Sequence, residues 1–292
     1  MIVESARGSL HVASQGERRR HLVDRAMAAV AAGTALVGIV ALAWILGYVV
    51  WRGAPALGVA FFTERPLPYG EPGGGVGPAL VGTLLMLGAA AALSIPLGLG
   101  TAIYLAEFGR GPFARVVRFV VDLLAGLPSI VVGVFVWALL VRQVIGHYSG
   151  LAGAAALAIV MMPIITRSVE EVLRLVPDGL REGALALGVP RWRTILGVVL
   201  PTARIGVVTG LLLALARAGG ETAPLLLTAL GNQFFNVNLF EPMASLPVQI
   251  YTYAVSPYDD WHTKAWGGAL VLVLVIGGLN LLARVASRAR RL

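Results

Sequence analysis

The chain has 292 residues, of which 58 % are hydrophobic and only 13 % are charged, and its mean hydropathy is +0.82. Soluble globular proteins carry roughly 25 % charged residues, so this composition excludes a water-soluble domain and a disordered chain and indicates an all-α membrane protein. The net charge is +8, and the absence of cysteine excludes disulfides and cysteine-ligated metals.

Six apolar segments are predicted as transmembrane helices, because each approaches the roughly 20 residues that cross a bilayer. The first follows a basic N-terminal tail at 1–25 and is too long for the core of a signal peptide, so we interpret it as a retained anchor. The membrane domain is predicted at 26–286, and a basic C-terminal tail at 287–292. The six spans are predicted at 26–51, 79–105, 120–141, 151–168, 203–228 and 265–285.

Basic residues concentrate in alternate connecting segments. The two tails, the regions after spans two and four, and the span ends that adjoin them hold 18 arginines, whereas the other connecting segments hold four basic residues. Positively charged segments stay on the cytoplasmic side of a membrane, so both termini are predicted to be cytoplasmic. The positive charge is therefore interpreted as a topology signal in a protein surrounded by membrane lipids, and no nucleic-acid partner is expected.

Two ionisable residues interrupt the fifth predicted span. Arg217 and Glu221 are four residues apart, so they share a helix face and can pair. Charged residues inside a bilayer are costly and mark either a functional site or a pair that locks one helix to another. Arginine suits an anion with several oxygens, because its fork donates two parallel hydrogen bonds. Arg118 and Asp122, at the inner end of the third span, are predicted to form a structural pair.

The sequence carries no recognised catalytic or nucleotide-binding signature. The glycine-rich stretch at 73–77 lacks the Lys-Ser/Thr pair that completes a phosphate-binding P-loop. Neither the H-E-x-x-H zinc motif nor the G-x-S-x-G nucleophile motif occurs. Energy-driven transport by this chain would therefore require a separate ATPase.

A short helix is predicted in the longest cytoplasmic loop, at about 174–200. Asp178 can cap its N-terminus, and Gly188 can end it in a left-handed conformation before Pro190 prevents continuation. Its apolar stripe, at helical spacing, comprises Leu180, Ala184 and Leu187. Such a helix can dock in the groove of a partner or lie on the membrane interface.

The same loop resembles the EAA loop of bacterial ABC-importer permeases, whose pattern is E-A-A-x3-G-x9-I-x-L-P. The residues that match this pattern are Glu182, Ala184, Gly188, Leu200 and Pro201. Two positions depart from it conservatively, namely Gly183 and Val198. The loop also lies on the predicted cytoplasmic side and precedes a span, as the family requires.

Further stretches are similar to the PstA family of phosphate permeases. The resemblance extends from about Arg25 to the end of the chain. The stretches that carry it are 104–110, 127–133, 175–178, 219–225, 232–235, 246–248 and 256–258.

The resemblance implies a type I ABC-importer permease of MetI-like architecture in the bacterial cytoplasmic membrane. It also implies three kinds of partner: a related second permease (PstC-like), an ATPase dimer (PstB-like) and an external phosphate-binding protein (PstS-like). ATP and Mg²⁺ would bind the ATPase, and this chain is expected to hold no cofactor.

The resemblance further implies roles for individual residues. The loop that couples transport to the ATPase would include Asp178, Glu182, Gly183, Ala184 and Gly188. The substrate path would include Arg217 and Glu221, which match charged positions of the phosphate permeases. Arg167, near the inner end of span four, is either a third residue of this path or a positive residue that sets topology.

Other functions remain open at this point. A permease of the same class could carry sulfate or molybdate instead of phosphate. An anion channel or secondary carrier would transport without ATP, but it leaves the spacing of the EAA-like loop unexplained. A scaffold or sensor would bind partners without transport.

Overall fold

A computed structural model describes residues 15–68, 70–71 and 73–288, with the backbone alone for 15–18, 21–22, 279 and 282–288. Within these ranges the regular secondary structure is helical throughout, which confirms the all-α prediction. The outer parts of the predicted tails, at 1–14 and 289–292, lie outside the described residues.

Twelve α-helices are formed within the described ranges. They are α1 (Gln15–Gly53), α2 (Val59–Thr63), α3 (Gly77–Ile103), α4 (Pro112–Gly126), α5 (Ser129–Val136), α6 (Gly150–Arg174), α7 (Asp178–Ala186), α8 (Arg191–Thr194), α9 (Leu200–Gly219), α10 (Ala223–Thr228), α11 (Leu246–Ala254) and α12 (Asp259–Arg288). A 3-10 turn follows α1 (Ala54–Ala56). Three π-helical segments follow α3, α5 and α8, namely Tyr104–Phe108, Trp137–Ile145 and Ile195–Val199.

The helices make this chain a multi-pass membrane protein. Among the described residues, four are long and apolar enough to cross a membrane: Val23–Ala56, Gly77–Phe108, Gly150–Arg174 and Arg191–Gly219. The bent pair Pro112–Gly126 and Ser129–Ile145 makes a fifth if it is one span. The sixth predicted span, 265–285, falls in α12, whose side chains are described only in part.

The predicted third span, 120–141, differs from a straight helix. The helices α4 and α5 are bent by 103° relative to one another. Leu127 and Pro128, which join them, have extended ψ angles of 134°. Proline disfavours the helical conformation of the preceding residue and donates no backbone hydrogen bond, so the α4 helix stops here.

The predicted fifth span, 203–228, is also divided. The helix α9 ends at Gly219, and α10 begins at Ala223 with Pro224 in its first turn. Two consecutive glycines weaken the end of α9, whereas proline is suited to the first turn of a new helix. The charged pair of the fifth span therefore lies at a helix end.

The helix α6 lies at the centre of the unit formed by residues 52–292. It packs against α3 and α9 through a buried cluster that includes Met86, Ala102, Met161, Ile165, Val169 and Val207. The α3 contact is close at Gly98, where an added Cβ would stand 2.8 Å from Cγ2 of Ile165. Small residues at such contacts let membrane helices approach each other.

Candidate functional site

A cavity of about 340 Å³ lies beside the bend between α4 and α5. Apolar side chains of α4, α5 and α6 form much of its wall. Its polar lining consists of Ser129, Arg167, Ser168, Glu171 and Arg217. Leu127 and Ser129, at the bend, also line it. The structure thus brings Arg167 and Arg217, which are 50 residues apart in the sequence, to one cavity.

The two arginines stand at different levels of the cavity. The helices α6 and α9 meet where an added Cβ on Gly210 would lie 2.8 Å from Cβ of Ser168. Arg167 adjoins this contact. Arg217 follows Gly210 by seven residues, which is about 10 Å along a helix axis. Both arginines line the cavity from these separate backbone positions, so an anion in it can contact either side chain.

Each cavity arginine has a carboxylate neighbour. Arg217 Nη1 lies 2.9 Å from Oε1 of Glu221, as the sequence spacing suggests. Oε1 of Glu221 nevertheless has no hydrogen bond, so the contact is an ion pair without linear N–H···O geometry. Arg167 pairs with Asp122 of α4. The carboxylates compensate the positive charges while leaving 60 % of Arg217 and 37 % of Arg167 exposed.

The predicted pair of Arg118 with Asp122 is wrong. Arg118 Nε instead lies 3.0 Å from Oε1 of Glu170, and Asp122 pairs with Arg167. Both partners come from α6, which packs against α4. Spacing along α4 identified residues on one face, but the neighbouring helix supplied closer partners of opposite charge.

Three polar residues of the cavity were not predicted. They are Ser129, Ser168 and Glu171. Glu171 follows Arg167 by four residues, and this helical spacing was the signal that could have found it. Ser129 is the first residue of α5, directly after the bend. Its position in the cavity could be predicted only if the break between α4 and α5 were known.

The predicted cytoplasmic helix forms as α7 (Asp178–Ala186). Gly188 follows it with a φ of +78°, as expected for a left-handed end. The expected capping role of Asp178 is wrong, because the N-cap position is held by Pro177 and makes no side-chain hydrogen bond. Asp178 Oδ1 instead accepts a hydrogen bond of 3.1 Å from Arg181 Nη1.

The outward surface of α7 is open in this chain. Glu182 and Gly183 are exposed and Ala184 is half-buried. Two leucines of the apolar stripe are also exposed, Leu180 to 44 % and Leu187 to 85 %. Exposed leucines beside an exposed carboxylate form a surface suited to a partner with an apolar groove and a positive rim.

A second cavity, of about 530 Å³, lies between the loop 66–68 and α11. The described residues that line it include no charged side chain, so it offers an anion no guanidinium or ammonium group. Tyr253 and Trp261 line it, with ring centroids 4.9 Å apart. Tyr253 is only 2 % exposed and therefore does not lie at a lipid surface. The first cavity is the better candidate for an anion path.

Comparison with known proteins identifies the family. A family model for the inner membrane component of binding-protein-dependent transport systems matches residues 94–291. The phosphate transport system permease protein PstA of Yersinia pestis is 46 % identical over 253 residues, which are 86 % of this chain and 85 % of that protein. PstA of Haemophilus influenzae is 45 % identical, with 86 % of this chain and 88 % of that protein covered.

Solved structures support the same fold. A chain of the methionine ABC transporter MetNI, in inward-facing conformations, aligns with a TM-score of 0.61 and 22 % identity, covering 73 % of this chain and 95 % of that chain. A bacterial ABC transporter involved in alginate import aligns with a TM-score of 0.53 and 14 % identity, covering 91 % and 99 %. With the family model and the sequence identities, we conclude that the chain belongs to the binding-protein-dependent inner membrane transport components, among the PstA permeases.

Proposed function

We propose that this chain is the transmembrane subunit of an ATP-driven importer of inorganic phosphate. The observation that carries the proposal is the cavity that Arg167 and Arg217 both line. Guanidinium groups suit phosphate because their forks match its oxygens. Relatives named as phosphate transport permeases, 45–46 % identical over most of this chain, support the choice of substrate.

The chain crosses the membrane six times in this proposal, with both termini in the cytoplasm. The sixth span is the apolar part of α12, and the bent pair of α4 and α5 is the third. The concentration of arginine in alternate connecting segments supports this orientation. It places α7 inside the cell and the segment 231–263 outside.

The energy for transport comes from a separate ATPase dimer, which binds ATP and Mg²⁺. The helix α7 docks on that ATPase through Glu182 and the neighbouring positions Asp178, Gly183, Ala184 and Gly188. Its exposed leucines and carboxylate support a docking role. A second, related permease completes the membrane part, and an external binding protein delivers phosphate.

The path holds phosphate weakly in this mechanism. A site that bound phosphate tightly would not release it, so conduction requires favourable but multiple contacts. The ion pairs to Asp122 and Glu221 reduce the positive charge that an anion meets at each level. Phosphate passes from one arginine to the next. At each arginine it takes the place of the carboxylate partner, which pairs with the arginine again when phosphate leaves.

The lining also favours phosphate over sulfate or molybdate. Glu171 is an exposed carboxylate of the cavity wall. Phosphate keeps a proton at neutral pH and can donate it in a hydrogen bond to a carboxylate. Sulfate and molybdate are then fully deprotonated, so the same carboxylate only repels them.

The experiment is phosphate uptake in proteoliposomes that contain this chain, its neighbouring permease and the ATPase, with binding protein outside and ATP inside. Uptake is expected to need ATP and to persist in excess sulfate and molybdate. The variant Glu182→Lys reverses the charge of the docking surface and is expected to abolish uptake. Glu241→Lys, at an exposed acidic residue of the outer segment, is the matched control.

Each other outcome has a definite meaning. Uptake that sulfate or molybdate suppresses keeps the class of transporter and changes the substrate. Uptake without ATP or without the ATPase contradicts the importer and establishes an anion channel or carrier. Normal uptake by Glu182→Lys removes α7 from coupling.

A further inference from the structure

Three arginines from three different helices converge on the π-helical segment Tyr104–Phe108, which we call the π turn. Arg118 of α4 donates from Nη2 to the carbonyl oxygen of Leu105 at 2.9 Å. Arg191 of α8 donates to the carbonyl oxygen of Glu107, and its guanidinium lies 4.6 Å from the centre of the Phe108 ring. Arg181 of α7 binds the Glu107 carboxylate.

The contact between Arg181 and Glu107 uses most of the guanidinium. Nη2 lies 2.8 Å from Oε1 of Glu107, and Nε lies 3.1 Å from Oε1 and 3.2 Å from Oε2. The other N–H groups bind the carbonyl oxygens of Val176 and Leu173, at 2.5 Å and 2.8 Å, and the carboxylate of Asp178. One side chain therefore joins α7 to the inner end of α6 and to the π turn that ends α3.

This contact is buried, unlike the rest of the α7 surface. The side chains of Arg181 and Glu107 are only 18 % and 6 % exposed. Hydrogen bonding to Glu107 raises the pKa of Arg181 above its ordinary value. Among the described residues, it is the one ion pair that joins α7 to another element. A buried, bidentate pair fixes both distance and orientation, whereas exposed pairs are weak and mobile.

We propose that Glu107 is a positioning residue for transport, through which movement of α7 is passed to α3. The inference rests on the proposed coupling of α7 to an ATPase. When α7 moves with the ATPase, the Arg181–Glu107 pair carries the π turn with it. Arg118 and Arg191 hold the same turn to α4 and α8, so these elements move together. Segments of π-helix often occur at functional sites, in keeping with such a role.

The variant Glu107→Gln tests the inference, because it keeps the shape of the side chain but removes its charge. The assay is the complete complex in proteoliposomes, with phosphate uptake and ATP hydrolysis measured in the same vesicles. ATP hydrolysis is expected to stay within about twofold of the wild type, while phosphate imported per ATP falls at least about tenfold. If Glu107 only stabilised the structure, Glu107→Gln would lower phosphate uptake and ATP hydrolysis together.

The matched control is Glu170→Gln. Glu170 is also a buried glutamate paired with arginines, Arg118 and Arg174, and neither of these two ion pairs involves α7. Glutamine at this position still offers Arg118 an acceptor oxygen, so the bond of Arg118 to Leu105 in the π turn is expected to remain. Its variant is expected to keep the wild-type ratio of phosphate to ATP. The double variant Glu107→Gln with Arg181→Gln leaves no unpaired charge at this contact but still lacks the ion pair, so it is expected to keep the low ratio of the single variant; recovery of the wild-type ratio would show that the single variant failed because of its unpaired charge.

A second readout does not depend on the substrate. The chain has no cysteine, so a single Leu97→Cys variant can carry a spin label on α3. ATP is expected to change the mobility of this label when Glu107 is intact, and to leave it unchanged when Leu97→Cys is combined with Glu107→Gln. When the Leu97→Cys label is combined with Glu170→Gln, ATP is expected to change its mobility as it does in the chain that carries Leu97→Cys alone.

These readouts separate the inference from the proposed function. Wild-type vesicles that import no phosphate contradict the proposed function, and the spin label then decides the inference alone. A wild-type phosphate-to-ATP ratio in Glu107→Gln overturns the inference, as does an equal loss in Glu170→Gln. A label on α3 that does not respond to ATP in the wild type also overturns it.

Discussion

Arg217 Nη1 lies 2.9 Å from Oε1 of Glu221, and the helix α9 ends between the two residues. Their burial differs: the side chain of Glu221 is 6 % exposed, whereas that of Arg217 is 60 % exposed and lines the cavity. The carboxylate is thus enclosed by protein, while the guanidinium keeps donors free for a further oxygen. The pair presents a partly compensated positive group to the cavity.

Arg217→Lys is expected to lower phosphate uptake by about tenfold. Lysine keeps the charge but loses the fork, and the loss of one charge-assisted hydrogen bond of roughly 1.5 kcal/mol corresponds to about this factor. Uptake in proteoliposomes checks the prediction. Arg204→Lys, at an exposed position of the same helix, is expected to transport normally. Equal uptake by both variants would remove Arg217 from the path.

Glu221→Gln is expected to tighten phosphate binding in the path and to slow its passage. Without the carboxylate, the full charge of Arg217 acts on the anion, and an anion that is held more tightly leaves more slowly. The concentration dependence of uptake should show a lower half-saturation value and a maximal rate reduced several-fold. Glu241→Gln is the control, and an unchanged Glu221→Gln profile would contradict the prediction.

Gly98→Ala is expected to destabilise the contact between α3 and α6 by about 1–3 kcal/mol, the usual effect of overpacking. The new methyl group would stand 2.8 Å from Ile165 Cγ2. Gly100→Ala is the control on the same helix, because an added Cβ there meets no atom within 4 Å. The midpoint of thermal unfolding in detergent should fall for Gly98→Ala alone. A similar midpoint for both variants would show that the contact between α3 and α6 accommodates the added methyl group without loss of stability.

Tyr253→Phe is expected to make the chain less sensitive to alkaline pH. Burial raises the pKa of Tyr253 above its ordinary value of 10.0, because the ionised phenolate would be enclosed away from water. A raised folded-state pKa means that the stabilising contribution is complete below about pH 10 and is lost as the pH rises through the folded-state pKa.

Thermal unfolding from pH 8 to pH 11 measures this effect. The midpoint of the wild type should fall more steeply above pH 10 than that of Tyr253→Phe. Tyr251→Phe, at a residue of the same helix that is 49 % exposed, should follow the wild type. Parallel curves for all three proteins would contradict the prediction.

The helix α7 could be predicted from residues that are close together in the sequence. The bounds of α7 and the left-handed Gly188 depend on residues that act on their immediate neighbours. The backbone preferences of glycine and proline do not depend on distant partners, so they can be inferred from one sequence. Asp178 was harder to predict, because Arg181 offered its carboxylate an alternative to capping the helix.

Contacts between helices were not predictable in the same way. Asp122 was assigned to Arg118 by spacing, but α6 places Arg167 beside it. The cavity likewise depends on the 103° bend, and a proline alone does not distinguish a kink from a complete break. The family resemblance suggested one path for Arg217, inside a span, and Arg167, near the end of another span, but the cavity that brings them together is a property of the packed helices.

The π turn also sets the direction in which the side chains at its end point. A π-helical turn contains about one residue more than an α-helical turn. If the same five residues, Tyr104–Phe108, followed α-helical geometry instead, the side chains at the end of the segment would be turned by roughly 90° around the axis. Glu107 would then face away from Arg181. The wider π turn is therefore what directs the Glu107 carboxylate at Arg181 of α7.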